Sequence, residues 1–252
     1  MSTKANQQAV FMSERRWLSI SWHSVRRALM FLVSAGILAW LGSVMQDPNT
    51  LPINKIHALG TFTMVNESML REVVAKTVSG GYFNLNVDEV QKAVEALPWV
   101  YQANVSRVWP DTIAISVTEQ TALASWAMGG IVNTQGTLFK PTEITKSLTL
   151  PVFDGPAGME RNMTEFYAMA KAIIEPLDLS IRQLSMDSRR AYRLTLNNGI
   201  VVLLGRENTQ DRLKRFARVY MKVLATRAQD IARVDTRYSN GLAIGWNKNI
   251  QN

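Results

Sequence analysis

Cysteine is absent from this 252-residue sequence, and histidine occurs only twice, as His23 and His57. Without cysteine there is no thiol nucleophile, no cysteine-based zinc or iron–sulfur site and no disulfide scaffold. Two histidines leave almost no nitrogen ligands for a metal. Signatures of hydrolases and nucleotide binders are also missing: the chain has no G-x-S-x-G elbow, no P-loop, no spaced G-x-G-x-x-G and no H-E-x-x-H. The composition, 47% hydrophobic and 19% charged with 7 Trp, excludes a disordered, collagen-like or polytopic membrane chain. The length suits one large domain or two small ones.

One long apolar run does occur. Ala28 to Met45 carries no charge over 18 residues, roughly 27 Å of helix, close to the hydrocarbon thickness of a bilayer. It predicts a transmembrane helix over 28–46. Lys4, Arg15, Arg16, Arg26 and Arg27 precede it against one acid, Glu14, and the first charge after it is Asp47. The positive-inside rule then leaves the tail 1–27 cytoplasmic and exports the rest, a single-pass type II topology. The competing reading is a cleavable export signal, which has a shorter basic start and an apolar region of about 7–15 residues. The spacing Ala35, Ala39, Ser43 is compatible with helix pairing in the membrane. The two histidines fall on opposite sides of the bilayer, so they share no site.

The formal net charge of +8 would ordinarily point to nucleic acid or an anionic surface. Its distribution argues otherwise. The tail holds five basic residues and one acid, whereas 51–120 and 121–180 are each net −2 and 181–240 is net +8. The surplus therefore lies outside the cytoplasm, in the last third of the chain.

Beyond the apolar run, the pattern is a strand at 53–59, a helix at 67–78 stopped by Gly80-Gly81, and a helix capped by Asn86 and Glu89 that ends before Pro98. Strands at 100–108 and 112–118 follow, joined by Trp109-Pro110-Asp111. This order predicts a compact α+β module with two helices on one face of a three-stranded sheet. From 121 the signals are short strands with turns at 122–128, 131–133 and 138–139. A helix over 162–174 carries an Asn162/Glu165 capping box. The runs 192–196 and 200–204 flank Asn198-Gly199, a type I′ hairpin signal. A basic helix over 211–226 turns Leu213, Phe216, Ala217, Tyr220 and Leu224 inward and Arg212, Lys214, Arg215, Arg218 and Lys222 outward. Strands at 234–238 and 242–246 end the fold, leaving a polar tail at 247–252.

No catalytic constellation emerges. His57 has neither a nucleophile nor an orienting acid near it, and the carboxylates are scattered. The basic helix is either a solvated face or a dock for an acidic protein segment, with anionic lipid or polymer a further option. Arg189, Arg190 and Arg237 favour the acidic segment, because arginine grips carboxylates bidentately. The last strand is either a protected edge or one that accepts a strand from another protein.

Several runs resemble the FtsQ/DivIB family of gammaproteobacterial cell-division proteins. They are the Trp-Pro-Asp turn followed by Ile113 to Glu119, the run Leu194 to Gly199, and above all Asp235 to Trp246; the likeness covers nearly all of 28–246. The resemblance implies a POTRA domain (polypeptide-transport-associated) over 51–120 and a mostly antiparallel β domain with packed helices over 121–246. It further implies a non-enzymatic inner-membrane divisome scaffold without cofactors or nucleic acid. Such a scaffold binds FtsB and FtsL, with FtsB adding a strand to the last strand, and reaches FtsK through the POTRA domain at the septum. The family's FtsB contacts fall by position on Arg189, Arg237, Tyr238, Ser239, Asn240, Gly241 and Trp246. Two departures stand out: Ala122 where the family often has proline, which bears on the rigidity of the domain junction, and Asn240 where aspartate is expected, which alters charge matching beside Arg237. The alternative is a POTRA-bearing accessory factor for protein export or envelope assembly, which the first 120 residues alone permit. A peptidoglycan-metabolising enzyme is a third option and would require converging carboxylates or a Ser-Lys pair.

Overall fold

The computed structural model describes residues 22–46, 52–60, 62–141 and 148–247. The basic residues Lys4, Arg15 and Arg16, the acids Glu14 and Asp47, and the tail residues 248–252 lie outside the described residues. Helix α1 runs Trp22–Gln46, starting six residues before the predicted span and taking in Arg26 and Arg27. Its apolar stretch, Trp22–Val44, has a mean hydropathy of 1.7 and no residue buried against the rest of the protein. A helix this apolar with nothing covering it is long enough, at about 1.5 Å per residue, to cross a bilayer.

The next unit is a three-stranded sheet in the order β1-β3-β2, made of Lys55–Leu59, Thr112–Glu119 and Val100–Val108. Strand β1 is parallel to β3, and β2 is antiparallel to it. Helices α2 (Glu67–Thr77) and α3 (Val87–Glu95) begin at Asn66 and Asn86, whose side chains accept from the backbone N–H of Ser68 and Glu89. Such caps satisfy amide donors that the first helical turn leaves without partners. Leu70, Val74, Val90 and Val94 from the helices bury against Ala103, Val105, Ile113 and Ile115 of the sheet. His57 stands exposed on β1.

The remaining strands form a nine-stranded sheet in the order β12-β11-β10-β9-β8-β7-β4-β5-β6. In chain order they are β4 Ala122–Trp126, β5 Ile131–Asn133, β6 Leu138–Phe139, β7 Val152–Asp154, β8 Ile181–Met186, β9 Tyr192–Leu196, β10 Val201–Gly205, β11 Ile231–Asp235 and β12 Ala243–Trp246. Five of its pairings are antiparallel, and β4/β7, β7/β8 and β10/β11 are parallel. The β7–β8 and β10–β11 crossovers carry helices α4 (Glu160–Ile174) and α5 (Thr209–Val219), as parallel neighbours require a long connection. Both helices pack on one sheet face through Met163, Phe166, Ile174, Leu213 and Phe216.

The two sheets are tied together. Ile131 and Phe139 bury into the core of the smaller unit, where the Phe139 ring meets Trp99 edge-on at 5.1 Å. Asn133 donates to Gln120 at 2.6 Å, and Gln120 donates to the carbonyl of Val100. Ala122 thus sits at a junction crossed by both apolar and polar contacts.

Several predicted details differ. Helix α4 begins at Glu160 rather than Asn162, with Met159 as an N-cap that makes no side-chain bond, so there is no Asn162/Glu165 capping box. Glu165 pairs with Arg161 instead, and the earlier start seats Met163 in the core. The β9–β10 turn is not type I′. Gly199 has φ +87 but Asn198 does not enter the left-handed region, and Leu196 closes the loop on both Gly199 and Ile200. This is a three-residue loop ending in a left-handed glycine. The basic helix does not continue to Thr226 as one piece: it passes at Tyr220–Leu224 into a π turn and at Ala225–Asp230 into 3₁₀ turns. Tyr220 and Leu224 nevertheless stay in the core. Strand β11 ends at Asp235, short of the predicted Tyr238.

Candidate functional site

Strand β12 is the last strand of the large sheet and pairs antiparallel with β11, with Val234 opposite Ile244 and Asp235 opposite Ala243. The Asn247 amide points inward, donating to the carbonyl of Asp230 at 2.8 Å. Because backbone polar groups alternate sides along an extended strand, those of Ile244 and Trp246 point away from β11. Among the described residues no strand covers that outer side. Glycine at 245 leaves room for the Arg233 side chain, whose Cγ would lie 2.7 Å from a Cβ there.

The connection from β11 to β12 holds most of the predicted site residues. Thr236, fully buried, anchors its start by donating through both its amide and its hydroxyl to Leu203 O, at 3.0 and 2.8 Å. Arg237 folds back on Asp235, with Nη2 to Oδ2 at 2.6 Å and Nε to Oδ1 at 2.9 Å. The Arg237 guanidinium, and secondarily its backbone amide, holds the Asp235 carboxyl below the usual carboxylate range against the opposing effect of burial. The same pairing raises Arg237 above its ordinary value. Sequence reasoning gave Arg237 to a partner's acid; in the free chain it already has an acid of its own. Tyr238 is 59% exposed, and Ser239, Asn240 and Gly241 are exposed after it.

From the core side, Arg215 of α5 donates to the carbonyls of Thr236 and Tyr238, each at 2.8 Å, and to that of Ser239. Arg212, one turn earlier, donates to Leu204 O at 2.8 Å. Both were expected on the outer face and are half-buried instead. Gly205, at φ +74, lets Arg212 and Arg237 approach: a Cβ there would stand 2.8 Å from Arg212 Nη1 and 3.3 Å from Arg237 Cγ.

At the far end of β12, Trp246 is 43% exposed beneath the Arg227 guanidinium, which lies 4.6 Å from the ring and also pairs with Asp230. Arg189 sits on the β8–β9 turn, where Asp187 accepts from its amide and from that of Ala191. That turn and Arg237 border one concavity of about 540 Å³ on the open sheet face, lined also by Asp154, Tyr192 and Arg193. The structure therefore gathers Arg237 to Gly241 and Trp246 along one edge and sets Arg189 on the turn at the rim of the adjoining concavity. Arg215, Arg227, Gly205 and Gly245 complete the arrangement and were missed. The one available signal for Arg215 was its place beside the buried stripe of α5, directly before Phe216.

The assembly suits a docking edge. It offers unpaired backbone groups, an aromatic side chain near each end and arginines alongside. Among the described residues, no group of three or more His, Asp or Glu is arranged to hold a metal.

Comparison with known proteins agrees with the sequence reading. A family model described as "Cell division protein FtsQ/DivIB, C-terminal" matches residues 124–237, and one described as "POTRA domain, FtsQ-type" matches 51–120. The first match stops at Arg237, so Tyr238 to Trp246 lie beyond it. The chain is 32% identical over 221 residues to the cell division protein FtsQ of Coxiella burnetii, covering 87% of this chain and 89% of that protein. It is 34% identical over 206 residues to that of Shewanella oneidensis, covering 82% and 78%. The corresponding values for Xanthomonas campestris are 31% over 227 residues, 86% and 80%.

Proposed function

From the premise that the chain belongs to the FtsQ/DivIB family of cell division proteins, we propose that it is a non-enzymatic divisome scaffold that accepts a β-strand from FtsB, in complex with FtsL, along β12. Helix α1 anchors it in the inner membrane with the tail 1–27 cytoplasmic and the rest periplasmic, at the septum. The domain divisions are those of the sequence: POTRA over 51–120, β domain over 121–246. The POTRA domain links the scaffold to FtsK and other division proteins.

The observation that carries this reading is the outer side of β12 at the end of the nine-stranded sheet, which no strand covers among the described residues. Backbone pairing along it supplies affinity, and side chains near its ends supply choice of partner. Tyr238 and Trp246 are the expected anchors, since exposed aromatic side chains at interfaces account for a disproportionate share of binding energy. Arg189 and Arg237 attract an acidic segment, with a smaller share. Exposed ion pairs contribute about 0.2–1 kcal/mol, and an incoming acid must share Arg237 with Asp235.

The test is capture of the exported segment of FtsB by the full chain. Tyr238→Ala and Trp246→Ala are each expected to weaken capture at least tenfold, the loss of more than about 1.4 kcal/mol expected of an anchor. Arg237→Ala is expected to weaken it only a few-fold, with the difference vanishing in high salt. Capture unaffected by both aromatic substitutions would remove β12 as the site.

A further inference from the structure

Resting on strand acceptance at β12 and deepening it, we propose that Arg215 is a positioning residue that holds the β11–β12 connection in the form a partner strand recognises. After Thr236, the backbone of 237–242 makes no hydrogen bond with other backbone among the described residues until β12 begins. Two arginines hold it instead. Arg237 binds Asp235 on the open sheet face, and Arg215 reaches from α5 on the opposite face to the carbonyls of Thr236, Tyr238 and Ser239.

The chemistry of this contact is specific to arginine. A planar guanidinium presents donors in a fixed fork, whereas a lysine ammonium is a single point on a flexible stem. Arg215 forms no ion pair among the described residues, and its Nε is buried without a partner. The three hydrogen bonds of its guanidinium all go to backbone oxygens. Holding the Tyr238 carbonyl inward leaves the phenol ring outward, 59% exposed, where an incoming chain meets it. If the connection were released, only the fraction of molecules with it in place would bind, and apparent affinity falls in proportion to that fraction.

The experiment uses the detergent-solubilised full chain, with the exported segment of FtsB as probe. Arg215→Met fills similar space and donates nothing, and Arg215→Lys retains the charge. Arg215→Met is expected to weaken binding about tenfold, the result of a tenfold smaller competent fraction, and Arg215→Lys to recover part of the loss. Hydrogen exchange is expected to accelerate over 236–246 and to stay unchanged in β8 to β10. In a double-mutant cycle, the losses from Tyr238→Ala and Arg215→Met are expected to add, because Tyr238 sets the affinity of the competent form and Arg215 sets its fraction. Unchanged exchange over 236–246, or exchange raised equally through the whole sheet, would each overturn the assignment. If the unsubstituted chain does not bind the probe, the strand-acceptance reading falls. The exchange comparison then decides the clamp alone, local acceleration supporting it and none overturning it.

Discussion

Asp235 and Arg237 meet two positions apart, so part of the attraction an acidic partner would find is already satisfied within the chain. The Asp235 carboxyl titrates below its ordinary value, which fixes the sign of the pH effect. A depressed carboxyl contributes stability at neutral pH that fades as the pH drops below about 4 and is lost through the lower folded value. The expected contribution is under about 1 kcal/mol, because Arg237 is 59% exposed and solvent screens the pair. The protection of the Arg237 amide, which Asp235 accepts at 3.0 Å, should fall at the acid end of a series from pH 7 to pH 3 once the intrinsic pH dependence of exchange is divided out, and Asp235→Asn should remove that dependence. Tyr238 and Trp246 were legible in the sequence as aromatics close to its end. Arg215 was not. On a helical wheel it resembles its solvated neighbours, and it is half-buried only because a connection 21 residues downstream folds across it, a contact that local spacing does not encode.

Among the elements, β12 makes the sharper distinction between backbone recognition and side-chain docking. Ile244 has an outward amide and a half-buried side chain packed against the core. Ile244→Ala removes the packing alone, whereas Ile244→Pro also removes the donor. Relative to the alanine variant, the proline variant is expected to bind FtsB several-fold more weakly, about 1 kcal/mol for one lost hydrogen bond, when the two are titrated side by side. Equal affinities would mean that partner contact runs through side chains only. Long periodic elements were readable: α2, α3 and β3 fall almost where spacing put them. Strand β8 was passed over because its bulge, between Ile181 and Gln183, separates the buried Ile181 from Leu184 by three residues and breaks the period of two. Strand β7 is only three residues long, too short to show a period.

Across the whole molecule, the small and large sheets share apolar contacts through Phe139 and Trp99. Replacing Phe139 with alanine is expected to cost about 3 kcal/mol or more, as large aromatic-to-alanine changes in cores do. Calorimetry should show the transitions of the two units separating; one unshifted transition would mean that the junction is incidental. The same contact makes the ends of the large sheet unequal. At one end β6 is two residues long and Phe139 is buried in the neighbouring core; at the other, no strand covers β12 among the described residues. On the strand acceptance proposed above, the sheet would grow beyond β12 rather than beyond the two-residue β6. A strand added at β12 becomes the new terminal strand and turns its own outer side to solvent. On that proposal, the number of chains the assembly accepts would be decided by the last strand to arrive, through its length, its prolines or a covering helix.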